Sequence, residues 1–256
     1  MKLSANLGFL WTELGLPDAI RASSRAGFDA VECHFPYAED PGAVCAALEE
    51  ADLPMLGLNT VRGDLDAGDF GLAALPDRTA EAREAIDQAI AYAAKIGAQN
   101  VHVMAGRAEG AQARLAYSDN LAYSADRAGE FGIGILIEPI NTRDIPGYHL
   151  SLVEDGAEVI AALGRPNLSL MLDCYHTQIM QGDLIRRIET HLPVIGHLQI
   201  AAVPNRAEPD TGEIAFDRLI PAVEALGYDG FWGAEYRPAG TTEDGLGWLA
   251  SFKRST

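Results

Sequence analysis

The feature that most constrains this chain is an alternation. Short apolar runs of strand character recur eight times, at 3–9, 30–35, 55–60, 101–105, 133–140, 168–173, 194–201 and 231–236, and a helical pattern follows each. Several helices carry local start and stop signals. Pro17-Asp18 opens the first and Gly27 closes it, and the next runs from Pro41 to Ala51. The others are expected at 78–96, 114–131, 152–163, 182–191, 216–226 and 242–252, mostly stopping at glycine or before proline. Strands that alternate with helices imply a parallel sheet covered by helices. Eight units in 256 residues fit one α/β domain, a (β/α)8 TIM barrel spanning 1–256. A doubly wound open sheet competes with it. That fold wants a glycine-rich phosphate loop after an early strand, and the nearest glycine cluster, Gly129-x-x-Gly132-x-Gly134, precedes a strand instead.

Parity within the strands carries the functional information, because alternate residues face opposite sides. One set is apolar throughout, for example Leu3, Ala5 and Leu7, Val31 and Cys33, Leu170 and Leu172, and Trp232 and Ala234. The other set turns polar toward the strand ends: Asn6, Glu32, His34, Asn59, His102, Glu138, Asp173, His197, Gln199 and Glu235. In a barrel the first set packs under helices and the second points into the lumen. Polar residues gathered at strand C-termini are expected of an active-site face. So many ionisable groups would be costly in a core without a task.

Four consecutive strand ends stand out: Glu138 in IEPINTR, Asp173 in LDCYH, Gln199 in GHLQI and Glu235 in AEYRP. Three carboxylates and an amide oxygen on one half of a mouth would repel one another unless a cation joins them. Hard oxygen donors suit Mg2+ or Mn2+, and no thiolate or multi-histidine set argues for zinc. For any one of these residues alone, a salt bridge to a loop arginine is the simpler reading.

The charge of the chain narrows its partners. With 37 acidic against 19 basic residues it carries a net charge of −18, which gives no general affinity for nucleic acid or anionic lipid. No apolar run approaches a membrane span. Three cysteines without a CxxC pattern, and an N-terminus too short and polar for a secretory signal, imply a reduced cytoplasmic protein. Homo-oligomer formation is left open.

The segments IEPINTRD, D-x-Y-H-x-Q-I-M-x-G-D-L, GHLQIA and EYRPAG resemble the hydroxypyruvate isomerase family of the xylose isomerase-like barrels. The resemblance extends along the chain, through the glycine-rich stretch Gly63–Pro76 to the closing GLGWL. It implies that Glu138 and Glu235 are acid–base residues and metal ligands, with Asp173 and Gln199 as the remaining ligands. Related ketose epimerases have histidine where Gln199 stands, so the chain is similar to the isomerase branch. His176 looks like a substrate-binding histidine and Arg206 like a substrate arginine of the superfamily. Val61-Arg62 departs from a loop that is usually more neutral, so Arg62 could read a different substrate end. The implied reaction interconverts hydroxypyruvate and 2-hydroxy-3-oxopropanoate, assisted by Mg2+ or Mn2+. A 2-oxo-tetronate isomerase or a ketose 3-epimerase would use the same machinery.

The chemistry needs these residue types whatever the name. An aldose–ketose shift removes a proton beside a carbonyl, passes through an enediolate and returns the proton to the neighbouring carbon. Carboxylates beside the substrate plane can carry that proton, and a metal stabilises the developing charge. A small hydroxy-keto acid also needs a cation for its carboxylate. Arg206 and Arg237, with His176, are the foremost candidates, and Arg143 and Arg62 follow. Arg237 could equally be a salt-bridge partner of a strand carboxylate.

Overall fold

The computed structural model describes residues 1–254. Eight parallel strands lie in one sheet: β1 (Lys2–Asn6), β2 (Ala30–Glu32), β3 (Gly57–Asn59), β4 (Asn100–His102), β5 (Gly134–Ile137), β6 (Leu168–Asp173), β7 (Ile195–Ile200) and β8 (Phe231–Ala234). Sequence neighbours pair throughout except β2 and β3, which lie at the two ends of the sheet, and β1 pairs with β8. The β2–β3 seam is closed by the Val31–Met55 bridge and by backbone bonds Leu56 N to Val31 O (2.7 Å) and Cys33 N to Gly57 O (3.0 Å). The result is the (β/α)8 barrel expected from the alternation.

The described residues form nine helices: α1 (Leu16–Ala26), α2 (Pro41–Ala51), α3 (Thr79–Ile96), α4 (Gly110–Gly129), α5 (Val153–Leu163), α6 (Cys174–Met180), α7 (Leu184–His191), α8 (Phe216–Ala225) and α9 (Gly247–Arg254). Local chemistry sets their ends. Asp40 caps α2 by accepting from Ala43 N at 2.9 Å, with Pro41 in the first turn. Gly27, Gly97 and Gly164 end α1, α3 and α5 in the left-handed conformation that glycine adopts without steric cost.

The sequence pattern gives eight helices where the structure has nine. The additional helix, α6, starts directly from strand β6. Asp173 is both the last strand residue and the helix N-cap, its Oδ1 accepting from Tyr175 N at 2.8 Å. The apolar run of β6 therefore needs no loop before a helix, and this hid α6 from a reading by separate blocks. The closing segment is likewise divided, into a 3-10 turn at Glu243–Gly245 followed by α9. Strands β1 and β4 stop earlier than their apolar runs, at Asn6 and His102. Leu7 lies beyond β1; it is partly buried, packs against the main core and also lines the mouth cavity.

The helix-facing parity set forms the main core. Leu3, Val31, Val101, Ile135, Leu170 and Trp232 are fully buried. Among the singled-out residues, Cys174 is buried in this layer, and Trp11 is buried with its indole bonded to Glu243. Phe9 instead lines the cavity at the strand ends.

Candidate active site

The polar parity set fills the lumen. Glu32, His102, Glu138, Asp173, His197, Gln199 and Glu235 are all buried. At the C-terminal ends of the strands lies a cavity of about 570 Å³, lined by His34, His102, Glu138, His176, Arg206 and Glu235 among others. This is the face on which barrel enzymes carry their chemistry.

Arg206 organises the upper tier. One terminal nitrogen, Nη2, donates to Asp173 Oδ2 at 3.1 Å and to Glu235 Oε2 at 2.8 Å. Its guanidinium is sandwiched between Phe9 (4.8 Å) and Tyr175 (5.0 Å). The backbone pins it too: Arg206 N donates to Ala202 O (2.8 Å), and Arg237 N donates to Arg206 O (2.7 Å). Glu235 takes a further hydrogen bond, from His34 Nε2 at 2.9 Å. A carboxylate only accepts, so His34 carries a proton on Nε2.

These contacts separate the three carboxyls. Burial pushes Glu235 up, but the Arg206 guanidinium and the His34 hydrogen bond outweigh it and hold the group at about 2. Burial raises Asp173 to about 7, with Arg206 offsetting part of the effect. No described arginine bonds Glu138, and burial, followed by the charges of Glu235 and Asp173, outweighs the more distant Arg206 charge and holds it well above the usual carboxyl range.

His176 stands on the first turn of α6, with Nε2 3.6 Å from both Glu138 Oε1 and Asp173 Oδ2. Glu138, Asp173 and His176 are the described histidine and carboxylate donors that share a space of 4.8 Å. Proximity alone would make His176 a metal ligand, but its hydrogen bonds argue otherwise. The Asn141 backbone N–H donates to His176 Nδ1 at 3.2 Å, so Nδ1 is the acceptor and the proton sits on Nε2. Burial holds the ring neutral, aided by the Arg206 charge. A neutral Nε2–H points at the cavity as a donor to an oxygen, which suits a substrate better than a cation.

The lower tier centres on Glu32. It accepts from Ser4 Oγ (3.0 Å), His197 Nε2 (3.2 Å) and Gln199 Nε2 (3.0 Å). Gly233 on β8 leaves the room for this cluster, because a Cβ there would run into the Glu32 carboxylate and His197. An acceptor-only carboxylate fixes the Gln199 amide with its NH2 toward Glu32. Gln199 Oε1 is then buried without a hydrogen-bond partner, as is Glu138 Oε1. Asp173 and Gln199 are direct register partners on β6 and β7.

Unpartnered buried oxygens beside crowded carboxyls suit a hard divalent cation. Glu138, Asp173 and Gln199 therefore offer oxygens that fit such an ion chemically, whereas Glu235 lies outside the donors that gather within 4.8 Å, its two oxygens accepting from His34 and Arg206.

The remaining arginines divide. Arg143 donates to Tyr175 Oη and Pro204 O, both at 2.9 Å, and lies beside Asp144. It is tied to the rim and not to the cavity. Arg237 lines the cavity, exposed, 5.7 Å over the Phe9 ring and with no carboxylate in salt-bridge reach among the described residues. The salt-bridge reading of Arg237 therefore fails. Arg62 also lines the cavity. Sequence reasoning places His34 only in the pocket wall and passes over Asn141, although IEPINTR carries it directly behind Glu138. No local signal marks either contact, since both partners lie far away in the chain.

The family model described as xylose isomerase-like TIM barrel matches residues 20–252. A 2-oxo-tetronate isomerase of Cupriavidus necator is 43% identical over 98% of each chain. A hydroxypyruvate isomerase of Escherichia coli is 36% identical over 99% of this chain and 100% of that one. A crystal structure from Brucella melitensis, described as an AP endonuclease of family 2, superposes with a TM-score of 0.93 at 38% identity over 98% of each chain.

Proposed function

The chain belongs to the xylose isomerase-like TIM barrel family, and from that premise and the carboxylate geometry we propose that it is a sugar-acid isomerase interconverting hydroxypyruvate and 2-hydroxy-3-oxopropanoate. The observation that carries this reading is the pair of buried carboxyls, Glu138 after β5 and Glu235 after β8, which line one cavity in opposite electrostatic settings. Relatives of similar length bear isomerase names, which supports the same reaction class.

A proton leaves the carbon beside the keto group, an enediolate forms, the proton returns to the former keto carbon, and the hydroxyl proton passes from the oxygen of the first carbon to that of the second. Glu138 and Glu235 take and return the carbon-bound proton. A divalent ion, Mg2+ or Mn2+, held by Glu138, Asp173 and Gln199, would supply positive charge against the enediolate oxygens. His176 donates its Nε2–H to a substrate oxygen. Arg206 and Arg237 form the cationic side of the cavity for the substrate carboxylate, and Phe9 excludes water beneath them.

Incubation with hydroxypyruvate and Mg2+ in deuterated water tests the reading. Proton NMR should show 2-hydroxy-3-oxopropanoate carrying solvent deuterium at the carbon that receives the proton. A panel extended to 2-oxo-tetronate and ketoses separates the related isomerases. No turnover of any of these with either metal would overturn the proposal. The endonuclease name of the Brucella structure gives a second reading. The net charge of −18 opposes it, and absence of binding to abasic DNA in a gel shift would exclude it.

A further inference from the structure

Arg62 follows strand β3 on the cavity wall. Its guanidinium lies 4.6 Å over the Phe35 ring and 5.7 Å over Phe70. No described carboxylate stands within salt-bridge reach of it, whereas Arg78, farther along the same segment, is clamped by Asp69 (2.7 Å) and Glu81 (2.7 Å). Of the acids that follow Arg62 in sequence, Asp64, Asp66 and Asp69, none pairs with it among the described residues. Asp69 serves Arg78 and the Asp64 backbone, and Asp64 accepts from Asp66 N and Ala67 N. Burial lowers the Arg62 pKa with no opposing countercharge. A partly desolvated cation left unpaired on a cavity wall, in a chain of net charge −18, is placed to receive an anion.

The backbone of the segment is held, and the guanidinium rests against the Phe35 ring. Arg62 O accepts from Gly71 N at 2.8 Å. Gly71, at φ +118°, is pressed against Met104 O after β4, a contact that leaves no room for a Cβ. Arg62 and Arg237 thus stand at the ends of different strands, β3 and β8, with β1 and β2 between them. Phe9, His34 and Phe35 form a continuous aromatic wall from one to the other, with ring separations of 5.2 and 5.7 Å.

The cavity is also large for a three-carbon acid. At the roughly 30 Å³ that a water molecule occupies, the seven or so non-hydrogen atoms of such an acid need at most about 200 Å³. The cavity offers about 570 Å³.

We infer that Arg62 forms a second anion subsite, so that the substrates extend to sugar acids of four or more carbons bearing a carboxylate or phosphate at the end away from the keto-acid head. The head then sits at Arg206 and Arg237, and the second acid group reaches Arg62 along the aromatic wall. This rests on the isomerase reading of the same cavity and deepens it.

Calorimetry on the Mg2+-loaded protein tests it with three unreactive ligands: erythronate, tartrate and erythronate 4-phosphate. The two with a second acid group should bind about tenfold or more tighter than erythronate, the gain of one charged hydrogen-bonded contact. The tartrate and phosphate arms show which acid group Arg62 prefers. In Arg62→Met the advantage should fall to near unity, and in Arg62→Lys most of it should return. Equal binding of all three ligands to the wild type overturns the inference, as does an advantage that survives in Arg62→Met. If hydroxypyruvate is turned over but a second acid group brings no gain, only the subsite fails. If no acid binds and none is turned over, the isomerase reading fails with it.

Discussion

The Gln199 side chain donates from its amide nitrogen to Glu32 at 3.0 Å, and this turns its carbonyl oxygen into the barrel interior, where it is buried without a partner. The two residues are 167 positions apart and meet across the lumen. Glu32 thereby acts as a positioning residue: its carboxylate can only accept, so it dictates which end of the amide faces the carboxyl cluster. Glutamine at position 32 could donate as well as accept and would release that choice. Glu32→Gln is expected to weaken Mn2+ binding by about 10–100-fold, the usual loss when a partner of a ligand is changed. Electron paramagnetic resonance of free Mn2+ measures it, with circular dichroism as the check on folding. Unchanged affinity in a folded variant would show that Gln199 needs no such orientation.

Metal binding should release protons. Asp173 is held at about 7 against a usual value of 3.8, and Glu138 also lies well above its usual range, both chiefly through burial. In the metal-free protein these raised groups favour the folded state at low pH, and Asp173's contribution is lost as pH rises through about 7. A cation displaces the same protons and restores the balance. Metal affinity should therefore rise between about pH 6 and 8, as should the gain in Tm on adding Mg2+. Calorimetry in two buffers of different ionisation enthalpy should detect the released protons. Buffer-independent heats at pH 6.5 would contradict the assignment.

Glu138→Gln and Glu235→Gln keep the size of the side chain and remove the basic oxygen. Turnover should fall by about 10²–10⁴ in each, and the double variant should lose little beyond the worse single one. Near-wild-type turnover in either variant would reduce that residue to a structural role.

The arginines should separate by kinetic constant. Arg237 is exposed and unpaired, so Arg237→Met should act mainly on KM, by about 1.5–3 kcal/mol, roughly tenfold or more. Arg206 holds Asp173 and Glu235 as well, so Arg206→Met should lower kcat too, with a total loss of about 2–5 kcal/mol in kcat/KM. Identical effects of the two substitutions would show that Arg206 has no part in organising the carboxyls.

Burial pushes the Cys33 and Cys174 thiols up, and the neighbouring Glu32 and Asp173 charges add to it. At pH 8 a thiol reagent such as DTNB should titrate no more than one cysteine, Cys45, in the folded protein, and all three after unfolding. Rapid reaction of two or more native thiols would show that the barrel opens easily.

What the sequence determined by itself is what neighbours along the chain can encode. The alternation of strand and helix follows from local periodicity and caps. The division of each strand into a helix face and a lumen face follows from its period of two, which is why strand parity alone groups Glu32, Glu138, Asp173, Gln199 and Glu235. Tertiary structure decided how those groups use one another. The proton on His176 depends on the Asn141 backbone, 35 residues away, and the charge on Glu235 depends on Arg206 and on His34, 201 residues away. Arg206 bridges Asp173 and Glu235 only because a turn after β7 folds it over the mouth. Hydrogen-bond partners, tautomers and raised or lowered pKa values arise from distances of a few ångströms between strands that only barrel closure brings together. A pattern read along the chain supplies the residues, and the closed barrel supplies the distances between them.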